Sequence, residues 1–172
     1  HDLVLATLTS PVMLVYLDNA QSTAGKINGN YARELMELHT LGVSGGASGS
    51  RYTQHDVQEL ARVLTGVGLN PAVIAGRGDV PVAQPRRGFG ARGFPPVPQQ
   101  APAVREGAFA ILPNRHDFGT KTVIGQTIRG SGFDEVERAV TLLGRQPATA
   151  RFISTKLATY FGADDPPARL VD

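Results

Sequence analysis

The sequence predicts a mainly α fold: an irregular bundle of four to five helices, one short β-hairpin and a long Pro/Gly/Arg-rich insert. Three observations carry this. Apolar residues recur at helical spacing in segments bounded by capping signals. Only two short runs, 109–112 and 122–128, have strand character. Residues 70–107 hold 7 of the 12 prolines and 6 of the 20 glycines, with no sustained period. The 172 residues suit one domain, so 1–69 reads as a helical part and 70–107 as a flexible insert. Residues 108–172 add the hairpin and two helices to the same domain.

Residues 3–17 read as helical, broken where Ser10 and Pro11 offer a cap and a first-turn proline. Asp18 to Gly29 is a polar loop. Asn30 reads as the cap of a helix running to about Leu41 and stopped at Gly42. Residues 45–50 form a Gly/Ser turn. Thr53 to Asp56 has the form of a capping box opening a helix through Leu64, ended by Gly66 and Gly68. The two strand-like runs flank a turn-rich Pro113–Gly119 connection. Ser131 or Gly132 opens a helix to about Leu143, with Asp134 and Arg138 spaced as an i,i+4 pair. Pro147 starts the last long helix, closed by Gly162.

Composition excludes several classes. There is no Cys, hence no disulfide, thiolate metal site or cysteine nucleophile. No apolar run is long enough for a membrane-spanning helix. A net charge of +2 is too small for a global field favouring nucleic acid. The insert is the local exception, carrying Arg77, Arg86, Arg87, Arg92 and Arg105 against Asp79 and Glu106. The start at His1 without Met and the unpunctuated end read as a piece of a longer protein.

The predicted helix 30–41 places Tyr31, Leu35, Leu38 and Leu41 on one apolar stripe. Glu34 falls at its edge, Glu37 just outside it, and His39 leans the other way beside Leu35. A carboxylate facing a core must be paired, metal-bound or protonated. Glu34 therefore reads either as an ion pair with an arginine or as a metal ligand or general base. His116-Asp117 with Lys121, in a loop held by strands, forms a second candidate set. Its alternative is structural, with Asp117 stabilising the turn and His116 packing at the hairpin end. His55 lies on the face of Glu59 and Arg62 and reads as a solvated partner of Glu59. Gly88 to Gly93 matches a dinucleotide fingerprint only as a string, since prolines on both sides remove the strand and helix that chemistry needs. Asp117-Phe118-Gly119 likewise lacks the companions of a kinase metal motif. Arg86 to Phe94 is similar to Arg-Gly-Phe segments that bind single-stranded nucleic acid, but one such unit would bind weakly.

Several blocks together resemble a bacterial family known as domain of unknown function 1800. They are Met13 to Asn19, Asn30 to Gly42, Tyr52-Thr53 with Asp56-Val57 and Glu59 to Ala61, Leu64 to Gly66, His116 to Lys121, and Pro147 to Leu157. Val67 departs from the pattern, where a tryptophan is expected. The resemblance implies a mostly helical protein more than twice this length, of which this chain is the C-terminal part. It also implies an exported or periplasmic location, and an N-terminal half that is this chain's first partner.

Two readings of function follow. In the first, Glu34, Glu37, His116, Asp117 and Lys121 are catalytic in a metal-dependent or redox enzyme domain. Glu34, Glu37, His39 and His116 then hold a divalent transition metal, and Lys121 or Arg33 holds an anion. In the alternative, the chain is a non-enzymatic helical interaction module of the cell envelope that docks a protein partner. That reading expects Glu34 to pair with Arg33, Arg62, Arg138 or Arg151. Nucleic acid is the weakest partner.

Overall fold

The computed structural model describes residues 1–43, 52–74 and 105–171. Residues 45–50 and most of the predicted insert lie outside them. The fold is mainly helical, as predicted. Helices α1 (Asp2–Thr9) and α2 (Pro11–Tyr16) are separated at Ser10, where Pro11 occupies the first turn of the second. Ser10 takes the cap position without a side-chain bond. A 3-10 turn over Asn19–Gln21 leads to α3 (Asn30–Glu37). The long helix α4 (Gln54–Val63) precedes a strand, β1 (Val67–Leu69), and one helical turn, α5 (Pro71–Ile74).

After the insert come β2 (Arg105–Glu106), β3 (Phe109–Ile111), a 3-10 turn over Pro113–Arg115, β4 (Lys121–Val123) and β5 (Gln126–Ile128). Helices α6 (Phe133–Gly144) and α7 (Pro147–Phe161) and a 3-10 turn over Ala168–Leu170 complete the chain. Both ends of the predicted insert belong to the fold, as α5 and β2.

The strands do not pair as the sequence suggests. Phe109–Ile111 does not form a hairpin with 122–128. It is the middle strand of a three-stranded antiparallel sheet in the order β1-β3-β2, with Val67 opposite Ile111. The hairpin lies wholly within 121–128, as β4 and β5 joined by Ile124 and Gly125. Both turn residues have positive φ, 47° and 70°, the pairing that a two-residue type I′ turn requires.

Helix α3 is shorter than its apolar stripe suggests. It ends at Glu37; Gly42, at φ +80°, then donates its N–H to the Met36 carbonyl. That closing turn returns Leu41 to the core but leaves Leu38 about half exposed. Asn30 is the first helical residue rather than the cap; Gly29 takes the cap position without a side-chain bond, and the Asn28 side-chain oxygen just before it accepts the Asn30 N–H. The Thr53–Asp56 capping box on α4 forms with both of its bonds.

One continuous core joins these elements. Leu8, Leu14, Tyr31, Leu35, Met36, Leu60, Leu64, Val67, Ile111, Val123, Val136, Val140 and Leu143 are all buried in it. Full burial of each large aliphatic is worth about 1.5–3 kcal/mol. Tyr31 reaches it with its hydroxyl satisfied, donating to the Thr7 carbonyl at 2.8 Å, and burial raises its pKa. By contrast α7 buries only Ala148 and Thr149, and Leu157, Tyr160 and Phe161 stand exposed on it. No helix among the described residues is long and apolar enough to cross a membrane.

Candidate functional site

The candidate site grows from the polar face of α4. Asp56, Glu59 and Arg62 succeed one another at helical spacing and face the β4–β5 hairpin and the loop before it. The Asp56 carboxylate accepts the Ile124 N–H at 2.7 Å, and Glu59 accepts the Thr122 N–H at 2.8 Å. Two side chains thereby satisfy the outer edge of β4, which would otherwise be an open row of donors.

Arg62 links the same helix to the loop. Its Nε donates to Asp117 at 2.8 Å, one Nη donates to Glu59 at 2.8 Å, and the Thr120 carbonyl accepts at 3.2 Å. Asp117 also accepts the Gly119 N–H at 2.7 Å, the local turn bond expected of it. A Cβ at Gly119 would lie 2.8 Å from the Arg62 guanidinium and 2.9 Å from the Asp117 carboxylate, so one of the two side chains would have to shift. Thr65 ties both sides together, donating to the Arg62 carbonyl at 2.7 Å and accepting the Asp117 N–H at 2.8 Å.

These contacts set the protonation of the carboxylates. Burial pushes Asp117 up, but Arg62 and the Gly119 N–H outweigh it and hold the carboxyl below its usual range. Burial likewise opposes Glu59, and Arg62 with the Thr122 N–H wins. For Asp56 the winning bonds come from Thr53 and the Ile124 N–H. Asp117 in turn raises the pKa of Arg62.

Beneath this layer lies a second cluster with no solvent exposure. The Lys121 ammonium donates to both Glu135 oxygens, each at 2.9 Å, and to the Asp117 carbonyl. Its three donors are then all used. His116 Nε2 contacts the same Glu135 carboxylate, and the His116, Lys121 and Glu135 side chains are each 0% exposed. The other ring nitrogen, Nδ1, lies 2.5 Å from the Thr65 carbonyl, which can only accept. Nδ1 is therefore the donor in that contact. Burial lowers the Lys121 pKa, with the Glu135 charge opposing it. The Phe118 ring packs edge-on against His116 at 4.7 Å.

The predicted residues thus separate. His116, Asp117 and Lys121 come together as one network. Glu37 pairs instead with Arg33 at 3.2 Å, and His39 Nδ1 donates to the Glu34 carbonyl at 3.0 Å. The half-buried Glu34 carboxylate makes no ion pair among the described residues, so the expected arginine partner is not present there. Among the described residues no group of three His, Cys, Asp or Glu side chains is placed to hold a metal ion. His55 lies close enough to Glu59 to help lower its pKa, as a solvated neighbour, while the carboxylate's hydrogen bonds go to Arg62 and the Thr122 N–H.

Sequence reasoning missed Glu135, the centre of the buried cluster. A signal existed: Glu135, Ala139 and Leu143 are spaced i, i+4, i+8, which places the carboxylate on the buried stripe of α6. It also missed Asp56 and Glu59 as partners of the hairpin, since strand edges are not visible before the strands are paired.

A family model described as a protein of unknown function (DUF1800) matches residues 1–172. No curated protein and no solved structure matches the chain.

Proposed function

The chain belongs to the DUF1800 family, and on that footing we propose that it works as a helical interaction module whose inner charges are structural. One observation carries this reading. The Lys121 ammonium has all its donors engaged by protein groups, His116 Nδ1 is bonded to the Thr65 carbonyl, and His116 Nε2 is closed in against Glu135 without a hydrogen bond of its own, with the side chains of His116, Lys121 and Glu135 all unexposed. A general acid or base needs a free position within hydrogen-bond reach of its substrate. A clasp that fastens the hairpin and loop to α4 and α6 needs none.

The surface supports the same reading. Exposed Leu157, Tyr160 and Phe161 give α7 an apolar face on which the N-terminal half implied by the family resemblance would pack. A place at the cell envelope belongs to this proposal, and fractionation of the expressing cell tests it.

A second reading keeps metal-dependent or redox chemistry at α3. The observation favouring it is local. His39 donates through Nδ1 to the Glu34 carbonyl, which leaves Nε2 as a lone-pair donor, while the Glu34 carboxylate has no ion pair among the described residues. In this reading Glu34, Glu37 and His39 act with groups from outside the described residues.

Metal content separates the two. The full-length protein, purified without chelator or affinity metal, is analysed by mass spectrometry beside Glu34→Ala and His116→Ala. The module reading predicts substoichiometric metal in all three. Near-stoichiometric metal, lost in Glu34→Ala, would replace it with the second reading.

A further inference from the structure

The β4–β5 hairpin has one edge satisfied and one edge open. Its two-residue turn makes Val123 and Gln126 the hydrogen-bonded pair next to the loop, so Thr122 and Thr127 form the following non-hydrogen-bonded pair. The N–H and C=O of such residues point away from their partner strand. Thr122 confirms the parity, since its N–H leaves the hairpin and donates to Glu59. By the same parity the N–H and C=O of Thr127 point off the outer edge of β5. No hydrogen bond to them occurs among the described residues.

That edge borders a groove of about 540 Å³ between β5 and α6. Thr127 and Ile128 form one wall. Asp134, Glu137, Arg138, Thr141, Leu142 and Arg145 form the other, and none of its charged side chains has an ion-pair partner among the described residues. The predicted Asp134–Arg138 pair is not made.

We propose that this groove binds an extended peptide that adds as a strand to β5, exchanging hydrogen bonds with Thr127. The proposal rests on the docking reading above and names its partner class. Strand addition between a sheet edge and a helix takes affinity from main-chain bonds and selectivity from side-chain pockets. Charge supplies the selectivity here. Residues four apart on a helix rise about 6 Å, which matches the roughly 6.7 Å between alternate residues of a strand. A peptide with an acidic residue opposite Arg138 and a basic residue two positions along, opposite Asp134, satisfies both. A further acidic residue reaches Arg145.

The test is selection of a phage-displayed library of random dodecapeptides on the immobilised full-length protein. Synthetic versions of the enriched peptides are then titrated against wild type, Thr127→Pro and Arg138→Glu. Thr127→Pro deletes the outward N–H while leaving the bonds to β4, and Arg138→Glu alters an exposed side chain should the proline variant fail to fold. The expected result is enrichment of acidic-x-basic peptides whose affinity falls at least tenfold in each folded variant. Absence of enrichment over an unrelated protein would overturn the proposal. So would peptides that bind both variants as tightly as wild type; that outcome moves docking elsewhere and leaves the module reading standing, whereas stoichiometric metal in the earlier experiment removes that reading itself.

Discussion

Replacing Glu135 by leucine removes the carboxylate that faces both Lys121 and His116 in the buried cluster. Taking one partner from a buried ion pair costs about 3–5 kcal/mol, because the remaining charge stays buried and unpaired. An independent limit agrees. Lys121 escapes the penalty by losing its proton, which at pH 7 costs a lysine of ordinary pKa about 4–5 kcal/mol. For a chain of this size the loss corresponds to a melting temperature lower by roughly 6–20 °C. The pH dependence has a definite sign. A folded state with neutral Lys121 binds fewer protons than the unfolded chain, so stability rises with pH towards the ordinary lysine value of 10.5. The penalty in Glu135→Leu should therefore shrink by about 1.4 kcal/mol per pH unit between pH 7 and 9. Adding Lys121→Met removes the orphaned ammonium, and the double variant should be more stable than Glu135→Leu alone. Urea unfolding followed by circular dichroism at 222 nm reads all of this. A penalty below about 1 kcal/mol for Glu135→Leu, or a double variant no more stable than the single, would refute the reasoning.

Other perturbations probe the layers around that cluster. Thr53→Ala removes the hydroxyl of the α4 capping box and should cost about 1–2 kcal/mol in urea unfolding. The carboxyls of Asp56, Glu59 and Asp117 are held below their usual range, so the stability they contribute is present at neutral pH. It should be lost as pH falls through their folded-state values, and Asp56→Asn should flatten that acid limb of the urea-midpoint profile. Gly66 sits at φ +75°, and a Cβ there would lie 2.7 Å from the Leu112 carbonyl oxygen. Gly66→Ala should thus lower the melting temperature by more than the positive φ alone explains, which is about 1–2 kcal/mol. Leu35→Ala empties a fully buried position on α3 and should cost about 2–5 kcal/mol.

What was legible in the sequence was local. The break before Pro11, the capping box at Thr53 and the turn bond of Asp117 each depend on residues within one turn of each other, and each forms. The apolar stripe of α3 was legible up to the point where the helix ends. Leu38 is exposed because the helix already ends at Glu37, and the turn that follows is tight at Gly42, where a Cβ would meet the Phe152 ring at 2.8 Å. Strand pairing was not legible. Val67–Leu69 finds its partner at Phe109–Ile111, across the whole insert, and three residues show too little alternation to declare a strand. The site was half legible. His116, Asp117 and Lys121 were picked out because a His-Asp pair with a lysine is chemically conspicuous. Their destination depended on Glu135, whose place on the α6 stripe could be counted, and on Arg62, which reaches them only through the fold.

The central claim is that Lys121 is sealed inside a structural clasp. The chain has three lysines, Lys26, Lys121 and Lys156, and a water-soluble acylating reagent followed by peptide mass spectrometry ranks them directly. The clasp predicts rapid modification of Lys26 and Lys156 in the native full-length protein. Lys121 should react only as fast as the protein unfolds, and as readily as the others in denaturant. Acylation of Lys121 in the native state at a rate comparable to Lys26 would contradict the account and return this lysine to the list of groups open to a substrate.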